Sequence, residues 1–246
     1  MVARKDYEAD FISGIYNYCD RWCERCPMTH RCFLFYQESK QREQTLEEGK
    51  DPDDFEVVVE NIEQNFSEAK QLLQQTAEEQ GIDLQKLAPA EEPQMRRTLL
   101  LEQPIHKKAH KFAMDCHRFL DELCSYIHEE EQKGSPSEAI AVLQDCFEIL
   151  GWYHMQTAVK IDRALSGKLG VRQRISRVTK LDSAGSAKVA YLGLLRCLDS
   201  LTRVYENNQP MASQLMPLLH ALYELIDDVD REFPGHKRFK RPGFDH

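Results

Sequence analysis

The chain has 246 residues, of which 41% are hydrophobic and 30% are charged, and its formal net charge is -9. A hydrophobic fraction of this size supports a packed core and argues against a fully disordered chain. The acidic balance argues against general nucleic-acid binding, because attraction to phosphate needs a positive field. No apolar run approaches the length of a membrane span, and the first residues lack the apolar stretch of a secretory signal. We therefore expect a cytoplasmic protein without a membrane-spanning segment.

The composition favours helices over strands. Leu, Glu and Gln together number 67, whereas the strand-favouring residues Val, Ile and Thr number 29. Apolar residues recur at helical spacing, and this periodicity predicts helices at 6–19, 31–48, 53–80, 104–131, 136–166, 182–206 and 211–233. Residues 82–98 contain two prolines and predict an irregular connection.

These segments predict an all-α fold. The four long C-terminal helices indicate a four-helix bundle core, with additional N-terminal helices and a four-cysteine metal loop beside it. We divide the chain into residues 1–52, with the cysteine loop, and residues 53–246, with the bundle, and expect the two parts to pack together. No strand pattern and no glycine-rich phosphate loop occurs in the sequence, which argues against Rossmann and P-loop proteins.

Four of the eight cysteines lie close together near the N-terminus, at Cys19, Cys23, Cys26 and Cys32. In a helix the first three would share one face, and Pro27 would turn the chain so that Cys32 could approach them. Four converging thiolates suit a tetrahedral zinc ion or a 4Fe-4S iron–sulfur cluster. Two alternatives stay open: a zinc site with His30 in place of Cys32, and a pair of disulfides or free thiols.

The cysteine spacing also carries a family resemblance. The run Cys23-x2-Cys26-x5-Cys32 resembles the auxiliary-cluster loops of SPASM-type domains, and Cys26-Pro27 resembles the Cys-Pro ending of ferredoxin ligand runs. The resemblance covers residues 23–32 and implies an iron–sulfur cluster. The spacing Cys19-x3-Cys23-x2-Cys26 also occurs in radical-SAM enzymes, but their motif lies in a β/α barrel that this helical sequence does not predict.

A second group of metal-ligating side chains lies along the helix predicted at 104–131. Its members share one stripe of that helix and are His106, His110, His117, Asp121 and His128. Imidazole and carboxylate are donors that zinc and iron accept. The stripe borders the apolar face of the helix, so a polar flank at the bundle edge is the simpler interpretation.

His154 lies inside the apolar stripe of its own helix. The sequence allows two interpretations of such a residue. It is either a buried neutral histidine that donates to a backbone carbonyl, or a functional histidine in a bundle pocket.

A basic segment interrupts the acidic chain around residues 168–180. Arg172, Arg174 and Arg177 are candidates for binding an anionic ligand, although a solvated interhelical loop is the simpler interpretation. The sequence therefore predicts a metal-binding helical protein that interacts with a protein or an anionic small molecule. The alternative is a redox enzyme that combines an iron–sulfur cluster with a pocket around His154. The metal-binding, interacting protein is favoured over the redox enzyme, because no group of side chains in the sequence has the spacing that a catalytic site needs.

Overall fold

The computed structural model describes residues 10–84, 93–134, 138–169 and 177–245, without the side chains of residues 93–96, 177–179 and 209. Within these ranges all regular secondary structure is helical, so the predicted all-α class is confirmed. The α-helices are α1 Phe33–Glu47, α2 Phe55–Glu79, α3 Pro93–Glu102, α4 Pro104–Lys133, α5 Glu138–Lys168, α6 Arg177–Asn207 and α7 Ala212–Glu232. Short 3-10 helices occupy Ile15–Asn17, Cys23–Arg25, Thr29–Arg31, Gln209–Met211 and His236–Arg238.

Three predicted segments differ from the structure. In the described part of 6–19, only the single turn Ile15–Asn17 is helical, so the predicted helix there is wrong. The connection at 82–98 ends in a helix that begins at Pro93, since proline suits the first position of a helix. Helix α6 begins at Arg177 and not at 182, because arginine and lysine favour helix without adding to an apolar stripe.

The chain forms two compact units. The first, the small unit, comprises Met1–Ile12 and Arg25–Glu92, and the second, the large unit, comprises Ser13–Glu24 and Pro93–His246. The small unit contains α1 and α2, and the large unit contains α3 to α7.

Polar contacts join α1 and α2 in the small unit. Arg42 donates two hydrogen bonds to the carboxylate of Asp53, at 2.7 and 2.6 Å. The side chain of Asp54 accepts from the N–H of Glu56 at 2.8 Å and caps α2. Among the described residues of this unit only Thr45 and Ala77 are buried. The small unit thus has few buried side chains, and its ion pair between Arg42 and Asp53 is exposed.

The large unit holds the hydrophobic core. Helix α4 packs against α5 and α7, and α6 packs against the same two helices. The most deeply buried side chains include Phe112, Leu123, Leu143, Leu150, Tyr153, Ile161, Leu194, Leu201, Leu215 and Leu222. Burial of each such side chain is worth about 1.5–3 kcal/mol before entropy is counted. None of the helices in the described part of the chain is both long enough and apolar enough to span a membrane.

Glycine at position 193 lets α5 and α6 approach closely. A Cβ atom added at Gly193 would lie 2.7 Å from Cγ2 of Thr157 and 3.1 Å from Cδ1 of Tyr153. Real Cβ atoms essentially never come as close to another heavy atom as the 2.7 Å to Thr157. The packing of these two helices therefore requires a residue without a side chain at position 193.

Candidate metal centre

Helices α4 and α5 bring together two histidines and one carboxylate of the large unit. Nδ1 of His106 lies 2.7 Å from Oδ1 of Asp162, and Nε2 of His110 lies 2.7 Å from Oδ2 of the same carboxylate. The two histidines are four residues apart, which places them on one face of α4. One ligand atom from each of the three residues lies within 4.8 Å of the others. No other group of three metal-ligating side chains converges in this way in the described parts of the chain.

The centre is closed on one side and open on the other. His106 is buried, with 8% of its surface exposed, whereas the side chain of His110 is 44% exposed. The Asp162 side chain lies between them at 21% exposure. An ionised carboxylate only accepts hydrogen bonds, so each histidine presents an N–H to it. A metal ion bound here would displace the proton from each of these two nitrogens, because it binds the nitrogen lone pair.

The donor set fits a divalent transition-metal ion. Zinc binds imidazole nitrogen and carboxylate oxygen at about 2.0–2.2 Å, so neighbouring ligand atoms of a tetrahedral site lie about 3.3–3.6 Å apart. The observed nitrogen–oxygen distances of 2.7 Å are shorter by less than one ångström. Small side-chain rotations of His110 and Asp162, which are both partly exposed, would open the site to that size.

The remaining members of the histidine stripe do not join the centre. His117 lies against His154 of α5, with ring centroids 5.6 Å apart and ring planes 7° from parallel. His128 is exposed and its Nε2 lies 2.8 Å from Nε2 of Gln132, and Asp121 is also exposed. The structure therefore divides the predicted stripe: it places His106 and His110 together and leaves the other three outside.

Asp162 is not among the residues predicted for this site from the sequence. The signal for it is indirect. The short connection between α4 and α5 makes the helices antiparallel, so the first turns of α4 lie beside the last turns of α5. An acid near residue 162 was therefore the natural partner for His106 and His110.

His154 has the contacts of a buried neutral histidine. Only 6% of its surface is exposed, and its Nδ1 lies 2.9 Å from the carbonyl oxygen of Leu150 and 3.0 Å from that of Gly151. These carbonyls fix the proton on Nδ1. Burial lowers the pKa of His154, and its Nε2 has no hydrogen-bond partner among the described residues. A role for His154 in a functional pocket stays a prediction.

The cysteine loop does not form the helix that would place its thiols on one face. Residues 10–32 instead contain three single 3-10 turns, so helical spacing does not place Cys19, Cys23 and Cys26 on one face. Cys19 and Cys23 belong to the large unit, whereas Cys26 and Cys32 belong to the small unit. All four are half-buried, and none of the eight cysteines, which all lie in the described ranges, forms a disulfide.

Two of these sulfurs receive backbone hydrogen bonds from the residue two positions later. The N–H of Met28 donates to Sγ of Cys26 at 3.4 Å. Burial raises the pKa of Cys19, and a backbone hydrogen bond from Arg21 opposes that rise. Donors directed at sulfur stabilise thiolates and are common around bound metals. The four-cysteine metal site itself stays a prediction.

Asp20 attaches the segment that carries Cys19 and Cys23 to the helices of the large unit. Its carboxylate accepts hydrogen bonds from the hydroxyl of Tyr153 at 2.5 Å and from Arg196 at 2.8 Å. Its backbone oxygen accepts from the side chains of Trp152, at 2.9 Å, and Gln156. The sequence analysis missed Asp20, and a single acid in a loop gives no pattern by which to find it.

The predicted anion-binding arginines cannot be placed. Arg172 and Arg174 lie outside the described residues, and Arg177 begins α6 with a side chain outside the description. Their role stays a prediction.

Comparison with known proteins yields no match: no protein-family model, no curated protein and no solved structure matches this chain. The likeness to SPASM-type loops accordingly rests on the cysteine spacing alone, and the candidate centre rests on its own geometry.

Proposed function

We propose that the protein binds a divalent transition-metal ion, zinc or ferrous iron, through His106, His110 and Asp162. The observation that carries the proposal is the position of one carboxylate, whose two oxygens each lie 2.7 Å from a nitrogen of the two histidines. Two imidazoles and one carboxylate occur both in zinc sites and in the facial triads of non-haem iron proteins.

The number of ligands indicates what such a site would do. Three protein ligands leave at least one coordination position for water or an external ligand, as in catalytic zinc sites and unlike structural ones. The partly exposed His110 marks the side from which that ligand would enter. The proposed function is therefore a metal centre that takes an external ligand; a metal held there would polarise that ligand and, if it were water, lower its pKa.

Metal titration of the stripped protein tests this proposal. Four proteins are compared, and in all of them Cys19, Cys23, Cys26 and Cys32 are replaced by serine. The thiolates of the cysteine loop then cannot contribute to metal binding. The background protein, His110→Ala and Asp162→Asn are compared with His128→Ala, an exposed histidine of the same helix that lies outside the centre. Equilibrium dialysis against zinc gives the stoichiometry, and the visible spectrum of the cobalt form reports the coordination geometry.

We expect one metal ion per chain in the background protein and in His128→Ala. His110→Ala and Asp162→Asn each lose one of three ligands, so their affinity should fall by about 100-fold or more, beyond the effect of losing a second-shell partner. Equal affinities in all four proteins would contradict the proposal. Anaerobic titration with ferrous iron then shows which of the two metals binds more tightly.

A second metal site at Cys19, Cys23, Cys26 and Cys32 is supported by separate observations. The four cysteines lie within fourteen residues, they are half-buried, and two of their sulfurs receive backbone N–H groups. We propose that they bind a 4Fe-4S cluster or zinc, as a site independent of the histidine centre.

Anaerobic purification tests the cysteine site. Iron, sulfide and zinc contents and the visible spectrum are measured for the wild-type protein, for the four-serine variant and for Cys124→Ser, which removes an exposed cysteine elsewhere. Brown colour and bound sulfide identify a cluster, and stoichiometric zinc without colour identifies a zinc site. Metal content that is the same in the wild-type and four-serine proteins would refute this second site.

A further inference from the structure

A surface cavity lies in the large unit, where the end of α5, the first turns of α6 and the turn after α7 meet. Its volume is about 300 Å³. The side chains that line it and matter for its chemistry are Lys168, Lys180, Ser183, Glu232, Phe233 and His236. Ligand-binding cavities are about 300–1,000 Å³, so this one suits a small molecule.

The charges around the cavity favour an anion. Lys168 and Lys180 are opposed by one acid, Glu232, with which Lys168 forms an ion pair. Both partners of that pair are at least 40% exposed, so the pair contributes little and a ligand can replace the glutamate. Lys180 lies in the first turn of α6, where the helix dipole adds positive potential.

The other walls are apolar or uncharged. Phe233 is 6% exposed, and the ammonium group of Lys168 lies 5.8 Å from the centre of its ring. His236 is 1% exposed, and its Nδ1 lies 2.7 Å from the carbonyl oxygen of Phe233. Burial lowers the pKa of His236, and the carboxylate of Asp230, whose Oδ1 lies 3.2 Å from Nε2 of His236, acts in the opposite direction. The hydroxyl of Ser183 is already committed to the carbonyl oxygen of Ala164, at 2.8 Å.

We propose that this cavity binds a small organic anion, with a carboxylate or sulfonate between Lys168 and Lys180 and an apolar body against Phe233. A fully hydrated inorganic anion would gain nothing from the phenyl wall, and an uncharged apolar molecule would gain nothing from the lysines. The site is distinct from the metal centre and does not depend on it. Its cations flank the arginine-rich segment in which the sequence predicted an anion site.

Two matched fluorescent probes test the proposal. The anionic probe is 8-anilinonaphthalene-1-sulfonate, and the uncharged probe, N-phenyl-1-naphthylamine, lacks only the sulfonate. Both are titrated into the wild-type protein, into Lys168→Met/Lys180→Met, and into Lys40→Met/Lys70→Met, which changes the net charge equally in the small unit. Circular dichroism and thermal unfolding verify that each variant is folded.

We expect one anionic probe to bind per wild-type chain. Its affinity should fall about tenfold or more in Lys168→Met/Lys180→Met and stay unchanged in Lys40→Met/Lys70→Met, because losing a charge contact weakens binding only at the site of that contact. The uncharged probe should bind both variants alike. Octanoate should displace the anionic probe, whereas inorganic phosphate should not. Equal loss of the anionic probe in both double variants, or no stoichiometric binding to the wild-type protein, would overturn the proposal. Lys180→Met alone repeats the test without disturbing the ion pair of Lys168.

Discussion

Trp22 stacks on Trp152 of α5, with ring centroids 5.2 Å apart and ring planes 17° from parallel. This contact and the hydrogen bonds of Asp20 fix residues 19–23 to the large unit. Arg21, between them, has a positive φ of 60°, a conformation that few residues other than glycine adopt. The backbone thus accepts some strain so that both neighbouring side chains contact the helices.

Replacing Asp20 with alanine should release this segment. Tyr153 and Arg196 would lose their carboxylate acceptor, and we expect the free energy of unfolding to fall by about 1–3 kcal/mol. Urea unfolding measures the loss, and the rate at which a thiol reagent labels Cys19 should rise. The control is Glu24→Ala, an exposed acid of the same segment. Equal stability of the two variants would show that the Asp20 contacts do not hold the segment.

Two glycines on neighbouring helices should respond to alanine in opposite directions. Gly193→Ala forces a Cβ atom against Thr157 and should cost about 1–3 kcal/mol as overpacking. Gly151→Ala meets nothing within 4 Å and should stabilise α5 by about 0.5–1 kcal/mol, because alanine favours helix over glycine. Urea unfolding of both variants measures the difference. If both variants were stabilised, α5 and α6 would not pack as closely as described.

The sequence predicted α4, α5 and α7 well because each carries a long apolar stripe that faces one core. The same spacing misled at the N-terminus. Phe11, Ile15 and Tyr16 recur as in a helix, but Gly14 adopts a positive φ of 73° and only one turn forms. A few apolar residues cannot offset the cost of starting a helix, whereas thirty residues can.

The candidate metal centre was half predictable for a related reason. His106 and His110 lie on one helix, where their spacing alone puts them on one face. Asp162 comes from another helix, and its position opposite them depends on how α4 and α5 align when packed. That alignment is a property of the whole core, and no local pattern encodes it.

Lowering the pH should destabilise the protein through its buried histidines. Burial lowers the pKa of His154 and of His236 in the folded state. The unfolded chain takes up these protons near pH 6.5, whereas the folded protein takes them up only at lower pH. Stability should therefore fall as the pH drops below about 6.5. Urea unfolding between pH 7 and pH 5, with a chelator present, measures this slope.

The slope should be smaller in His154→Gln, which removes one of the two groups. His220→Gln serves as its control, since the side chain of His220 is 79% exposed. An unchanged slope in His154→Gln would mean that His154 does not resist protonation in the folded state.

Thiol labelling of the native protein should separate the cysteines into two classes. Burial raises the pKa of Cys116 to about 12 and that of Cys146 to about 11, and raises that of Cys197 well above its usual range. All three are fully buried, so native iodoacetamide labelling at neutral pH should spare them, because the thiolate is the reactive form. The N-terminal four and the exposed Cys124 should react, and digestion with mass spectrometry identifies each site.

Added zinc should change this labelling pattern if the cysteine loop binds it. If Cys19, Cys23, Cys26 and Cys32 bind zinc, added zinc should protect those four thiols and leave Cys124 reactive, since a coordinated thiolate is no longer available as a nucleophile. Chelation should restore their labelling, and unfolding in urea should expose all eight cysteines. If zinc protects Cys124 together with the other four, the metal binds non-specifically. If zinc protects none of the four, an iron–sulfur cluster is the remaining metal assignment, and colour and sulfide content decide it.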